Sequence, residues 1–145
     1  MCSLPASIGF YGFASGTGVP TYDIDVTYAS GVTCRVSASA GLLALPTGLA
    51  PTGTGVSGTP VFSWTPPNPL PAGPQYTVSV TDEAVPPNTL WQYVLPSSNA
   101  TSVAYNADSS AQQSVLTSGQ PYVLTVYVQD ENDNSSSTSV QFTVQ

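Results

Sequence analysis

The stretch YVLTVYV, residues 122–128, consists mainly of β-branched and aromatic residues, with Tyr122, Leu124, Val126 and Val128 at alternate positions, and it decides the fold class of this chain. Successive side chains of a strand point to opposite faces, so this period of two predicts a strand with one buried face. Residues 140–144 repeat the pattern, and a polar turn from Asp130 to Ser137 joins the two runs. The shared faces of this predicted hairpin carry Tyr122, Leu124, Val126 and Val128 on one strand, and Val140, Phe142 and Val144 on the other.

Further short strands are predicted toward the N-terminus, separated by proline-rich and glycine-rich connections. The chain has 14 prolines and 12 glycines, which would break most helices, and no helical periodicity of useful length is present. Short strands at this spacing favour an all-β antiparallel sandwich over a barrel. The predicted strands cover residues 61–65, 75–80, 90–95 and 101–105.

A separate β-hairpin is predicted between Tyr22 and Ala38, where two alternating runs flank Ala29-Ser30-Gly31. Only a three-residue loop keeps apolar residues opposite apolar residues, with Gly31 in a left-handed conformation. That register pairs Tyr28 with Val32, Val26 with Cys34, and Ile24 with Val36. It also places Asp25 opposite Arg35, which we interpret as an exposed cross-strand pair rather than a ligand site.

A change of composition marks the expected domain boundary. Residues 40–58 are uncharged and rich in Ala, Leu, Pro, Gly and Thr, and residues 50–55 have the composition of a linker or an extended first strand. We therefore expect an N-terminal hairpin region over residues 1–50 and a β-sandwich over residues 51–145.

The charge of the chain excludes several classes of partner. Charged residues make up 6%, the net charge is −7, Arg35 is the single base and there is no lysine. Nucleic-acid binding needs clustered bases, so DNA and RNA are excluded as partners. No run of 18 apolar residues predicts a membrane span. The neutral, Ser/Thr-rich polar surface is typical of extracellular or cell-surface proteins.

Two motifs resemble those of fibronectin type III domains. Residues 62–67, Phe-Ser-Trp-Thr-Pro-Pro, resemble the second strand of that family, whose tryptophan lies in the core. Residues 116–122 resemble its tyrosine corner, with Leu116 six residues before Tyr122 and Gly119 between them. The resemblance covers about residues 57–145, and immunoglobulin-like domains of bacterial surface proteins share these motifs. It implies a non-catalytic binding or spacer module of an extracellular protein.

The side chains present argue against catalysis. With no histidine, Ser-His-Asp and Cys-His arrangements and the usual zinc ligands are missing. With no lysine, neither a Schiff base nor a P-loop can form. A carboxylate pair remains, but the acids lie at predicted turns or on solvent-facing strand positions, where burial would not tune them. We therefore expect no enzymatic activity.

Residues 130–134, Asp-Glu-Asn-Asp-Asn, form the strongest candidate for a ligand site. Asp130, Asn132 and Asn134 have the alternate spacing of oxygen ligands in calcium loops, and Asp133 or Glu131 could add a carboxylate. The alternative is a solvated turn, since Asp and Asn favour turns. Calcium is the one cofactor that the sequence suggests.

Exposed aromatic side chains could bind carbohydrate. Trp91 and Tyr127 are the candidates for a sugar-stacking platform, because Tyr127 lies on the face opposite Tyr122. The alternative is that Trp91 covers the edge of the sandwich while Tyr93 joins the core. We therefore expect a structural or adhesive module with a protein or glycan partner at the cell surface, and a carbohydrate-binding module is the second hypothesis.

The N-terminal third leaves two questions open. Cys2 and Cys34 could form a disulfide in an oxidising compartment, Cys2 could be a lipidated first residue, or both could be free thiols. The apolar segment from Ser7 to Ala14 either packs on its own domain or pairs with the open sheet edge of a neighbouring copy, as in strand-exchanging surface filaments.

Overall fold

The structure, a computed structural model, describes residues 21–27, 31–39, 43–96 and 98–145, and it divides the chain into two compact units, residues 1–42 and 43–145. In the first unit, β1 (Thr21–Thr27) and β2 (Thr33–Ser39) form an antiparallel hairpin. Ile24 pairs with Val36 and Asp25 pairs with Arg35, as predicted. Gly31 has a φ of 79°, which confirms the left-handed position. The predicted partner of Val32, Tyr28, lies outside the described residues.

The second unit begins eight residues before the boundary that composition suggested. The stretch expected to be a linker or a first strand contains two short strands, β3 (Thr47–Ala50) and β4 (Gly53–Val56). They belong to different sheets, so the chain changes sheets at Pro51 and Thr52. Gly53 and Gly55 both have positive φ, a conformation that glycine adopts readily. Because glycine has no side chain, this segment shows no alternating pattern in the sequence.

Eight strands of the second unit form two sheets packed on one core. One sheet has three strands, in the order β3-β5-β8, and the other has five, in the order β4-β10-β9-β6-β7. All pairs are antiparallel except β4 with β10, which is parallel. This confirms the predicted all-β sandwich of the fibronectin type III or immunoglobulin-like kind. The remaining strands are β5 (Val61–Thr65), β6 (Gln75–Asp82), β7 (Thr89–Val94), β8 (Ser102–Ala104), β9 (Pro121–Gln129) and β10 (Ser135–Val144).

The last hairpin has a shorter turn than the sequence predicts. The predicted turn extends to Ser137, but β10 begins at Ser135, which pairs with Gln129. The run Ser-Ser-Ser-Thr-Ser of residues 135–139 is polar at every position, so its period of two is invisible in the sequence. Backbone pairing with β9 nevertheless continues to the first serine of the run.

Aromatic residues dominate the core between the sheets. The Phe62 ring lies 6.3 Å from that of Trp91 and 5.9 Å from that of Phe142, measured between centroids. Trp64 packs at 5.4 Å from Tyr76, as the resemblance to the fibronectin family implied for this tryptophan. Such ring pairs contribute about 0.5–1.5 kcal/mol each beyond the area they bury. The core also contains Val78, Val80, Leu90, Leu116, Leu124, Val126, Val128 and Val144.

The tyrosine corner forms as the resemblance implied. The Tyr122 hydroxyl accepts a hydrogen bond of 2.9 Å from the backbone N–H of Thr117. Leu116 is buried beside it, and Gly119 turns the chain with a φ of 76°. The bond ties the connection before β9 to the start of that strand.

Candidate functional site

The predicted calcium loop is a hydrogen-bonded turn centred on one carboxylate. Asp130 Oδ1 accepts the backbone N–H groups of Asn132, at 2.8 Å, and Asn134, at 2.9 Å. Its Oδ2 accepts the side-chain amide of Asn134 at 2.9 Å. The hydrogen bond from the Asn134 side chain is the largest cause that holds the pKa of Asp130 below its usual range, and the two backbone donors add to it. Both oxygens of the best candidate ligand therefore already have donors within the turn.

The other predicted calcium ligands are only partly brought together. Asp133 has a φ of 63°, and its Oδ1 accepts the side-chain amide of Gln129 at 2.9 Å. Among the described residues, no group of three or more His, Cys, Asp or Glu side chains is placed to hold a metal ion. The geometry favours the solvated-turn alternative, and the calcium hypothesis stays a prediction.

A second carboxylate closes the β6–β7 loop with nearly the same bonds. Asp82 Oδ1 accepts the backbone N–H groups of Ala84, at 3.1 Å, and Asn88, at 2.8 Å, while Oδ2 accepts the Asn88 side-chain amide at 2.8 Å. These bonds, the Asn88 side chain foremost, lower the pKa of Asp82. The loop they close carries Val85, which is 99% exposed.

An open cavity of about 540 Å³ adjoins this loop and the tyrosine corner. Two carboxylates face it, but Asp82 is held by its turn and Glu83 accepts the side-chain amide of Gln141. The remaining groups are the amides of Gln113 and Gln120, the hydroxyls of Thr117 and Tyr122, and apolar surface, so they offer hydrogen bonds and apolar contact. Its lining consists of Asp82, Glu83, Ala84, Leu90, Gln113, Thr117, Gln120, Pro121 and Tyr122.

A third carboxylate, that of the exposed Asp108, bonds a core side chain from the surface. Asp108 Oδ1 accepts the indole N–H of Trp91 at 2.8 Å, and Oδ2 accepts the Ser110 hydroxyl at 2.7 Å. The hydrogen bond from Trp91 is the largest cause that lowers the pKa of Asp108, and the bonds from Ser110 add to it. This carboxylate gives a buried tryptophan the partner that a buried indole N–H requires.

The two aromatic residues expected to bind carbohydrate lie in different environments. Trp91 is 2% exposed, packs at 5.7 Å from Tyr93 and faces the core, so no sugar can stack on its ring without the core opening. Its burial favours the packing alternative. Tyr127 is 41% exposed, on the outer face of the five-stranded sheet, as its position in the alternation predicted. The two rings do not form a shared platform.

The N-terminal predictions fall largely outside the described residues. Cys2 lies there, as do the side chain of Cys34 and the segment from Ser7 to Ala14. The disulfide, the lipid anchor and the strand exchange therefore stay predictions.

The roles of Asp82 and Asp108 were not predicted from the sequence. A signal for Asp82 was present, because Asp82 and Asn88 flank a loop just as Asp130 and Asn134 do. The Asp108 bond joins residues 17 positions apart, so no local pattern indicates it.

Comparison with known proteins gives structural similarity at low sequence identity. No family model matches the chain, and no curated protein matches it. The described part of the chain contains no helix with the length and hydropathy needed to cross a membrane. Among solved structures, the chain is similar to the rat CD45 extracellular region, domains d3–d4, at 10% identity and a TM-score of 0.45, over 95% of this chain and 73% of that chain.

Proposed function

We propose that this chain is a non-catalytic structural module of an extracellular or cell-surface protein. The observation that carries the proposal is the use of its acids. Asp82, Asp108 and Asp130 each accept several hydrogen bonds that close a loop or hold a core residue. Carboxylates held in this way serve the fold, and the pKa values of these three are shifted down, away from the neutral range in which a general acid works.

The extracellular setting is supported by the surface. The strands carry Ser and Thr on their outer faces, and Thr125 and Ser139 share a hydrogen bond of 2.9 Å there. With no lysine and one arginine, the whole sequence also offers a trypsin-like protease a single cleavage position, after Arg35. Both features suit a module that persists outside cells.

An activity screen tests the non-catalytic proposal. The wild type and a Asp82→Asn/Glu83→Gln double variant are incubated with chromogenic glycosides, esters and peptides, because these two acids face the open cavity. We expect no turnover above buffer from either protein. Turnover by the wild type that the double variant loses would overturn the proposal.

Carbohydrate binding is the second candidate, and one observation favours it. Tyr127 lies in a cross-strand row with Thr77, Val94 and Ser137, and both Tyr127 and Val94 are substantially exposed. An aromatic ring beside hydroxyl groups suits a sugar. A glycan array with the wild type and Tyr127→Ala tests it, and a signal lost in the variant would support it. Trp91→Ala is unsuitable here, since that ring belongs to the core.

Strand exchange through the segment from Ser7 to Ala14 stays a further proposal from the sequence. A Phe10→Asp substitution in the intact chain tests it by light scattering. Polymers of the wild type that this substitution disperses would support a filament subunit, and monomers of both proteins would exclude it.

A further inference from the structure

The two sheets of the sandwich have four edge strands, and they differ in how well they are protected against pairing. β3 and β4 contain glycines with positive φ and register shifts, which bend a strand away from a regular ladder. β8 is only three residues long. β7 has six residues, Thr-Leu-Trp-Gln-Tyr-Val, without charge, proline or glycine. Of the four edge strands, β7 is therefore the one that is longer than three or four residues, uncharged and without glycine or proline.

Half of the β7 edge is covered within the chain. The backbone N–H of Gln112 donates to the carbonyl of Leu90 at 2.8 Å, and the Gln112 side-chain amide donates to the carbonyl of Thr89 at 2.7 Å. The one register shift between β6 and β7 also lies at this end. The first residues of β7 are therefore closed to another strand.

The second half of the β7 edge is regular and open. Leu95 donates to the carbonyl of Tyr76, so alternation along the ladder directs the backbone groups of Tyr93 toward β6 and those of Gln92 and Val94 away from it. Among the described residues, no hydrogen bond reaches the outward N–H and C=O groups of Gln92 and Val94. Both side chains are exposed, and Val94 is 49% exposed.

We propose that this open half-edge, Gln92–Val94, pairs with the same half-edge of a second copy. Outward-facing peptide groups in a regular register are positioned to pair with an extended strand. Because β7 carries no charge, that strand needs no opposite charge, and its own copy places no like charges across the pair.

The geometry of a two-fold pair fits these groups. With the axis beside Tyr93, Gln92 of each copy faces Val94 of the other, and each facing pair exchanges two hydrogen bonds. The pairing is closed, because it consumes both open half-edges and leaves none for a third copy. The contact is small, so we expect a weak, transient dimer.

Sedimentation equilibrium of the intact chain over a range of concentrations tests the proposal. Gln92→Lys/Val94→Lys sets lysines against lysines across the axis, and Val94→Pro removes an outward N–H without removing a bond to β6. Val61→Lys/Ser63→Lys is the matched control: it adds the same charges at the same spacing on β5, the central strand of the other sheet. Melting curves establish that each variant is folded.

We expect a monomer–dimer equilibrium in the wild type and in the β5 control, with dissociation constants at least tenfold higher in both β7 variants. A wild type that stays monomeric at millimolar concentration would overturn the proposal. So would association that the β7 variants leave unchanged. Association that Phe10→Asp abolishes while Val94→Pro does not would assign the contact to the N-terminal segment instead.

Discussion

Two connections of the sandwich are held in opposite ways. The connection between β8 and β9 is long and irregular, and buried aromatic residues tie it down. Trp91 donates to Asp108, Tyr105 donates through its hydroxyl to the carbonyl of Gln113 at 2.8 Å, and Tyr122 accepts from Thr117. The turn between β9 and β10 is short, and its principal bonds run from Asp130 to donors two and four residues later.

The difference shows what each kind of connection requires. A turn of a few residues can satisfy its backbone donors with one carboxylate, so its stability is local. A connection of some fifteen residues cannot, and it borrows the polar ends of core side chains. Damage to the long connection should therefore propagate into the core, whereas damage to the short turn should stay there.

The largest effect is expected where the long connection meets the core. Trp91→Ala removes a buried ring and the donor to Asp108, so we expect it to lower the free energy of unfolding by about 3–5 kcal/mol, measured by urea denaturation. Tyr127→Ala, an aromatic truncation on the outer face, is the control and should cost less than about 1 kcal/mol. Equal losses in the two variants would show that Trp91 is not a core residue.

A smaller effect is expected at the tyrosine corner. Tyr122→Phe keeps the ring and leaves the N–H of Thr117 without its acceptor, so we expect a loss of about 1 kcal/mol. Tyr76→Phe is the matched control, because the buried Tyr76 hydroxyl has the Trp64 indole N–H as its neighbour but makes no well-formed hydrogen bond in the described part of the chain. Its removal should cost less than removal of the Tyr122 hydroxyl. If Tyr76→Phe proves the more damaging of the two, the assigned hydroxyl bonds are wrong.

The sequence predicts the parts of this fold that depend on local alternation. Strand β5 and the hairpin register from Ile24 to Val36 follow from alternation, whereas the tyrosine corner was expected only from the resemblance to fibronectin type III domains. Strand β3 and the start of β10 were missed, and residues 50–55 were left open between a linker and a strand, since glycines and an all-polar run hide the period of two. The bond from Trp91 to Asp108 could not be predicted, because it depends on how β7 and a distant loop pack together.

Acid should weaken both connections, because each depends on an ionised carboxylate. In the long connection, Asp108 also bonds Trp91 of the core. Because the folded pKa of Asp108 lies below its unfolded value, its contribution is complete above the unfolded pKa, near 4. It is lost as pH falls through the folded pKa. We expect the melting temperature of the wild type to fall from pH 5 to pH 2. The melting temperature of Asp108→Asn should fall less steeply over the same range. Asp130→Asn should also flatten the curve, since the pKa of Asp130 is lowered too. Identical acid profiles in all three proteins would contradict these assignments.

The smallest effect is expected from calcium at the short turn. Because Asp130 accepts two hydrogen bonds at Oδ1 and one at Oδ2 within the turn, an ion could add only one bond from Oδ2 without breaking them. We therefore expect about 5 mM calcium, enough to fill a typical extracellular site, to leave the melting temperature unchanged relative to chelator. Asp82→Asn and Asp130→Asn form a matched pair, since the two carboxylates accept nearly the same bonds. A calcium-dependent rise that Asp130→Asn abolishes and Asp82→Asn retains would place an ion at residues 130–134 and show that the turn rearranges to bind it.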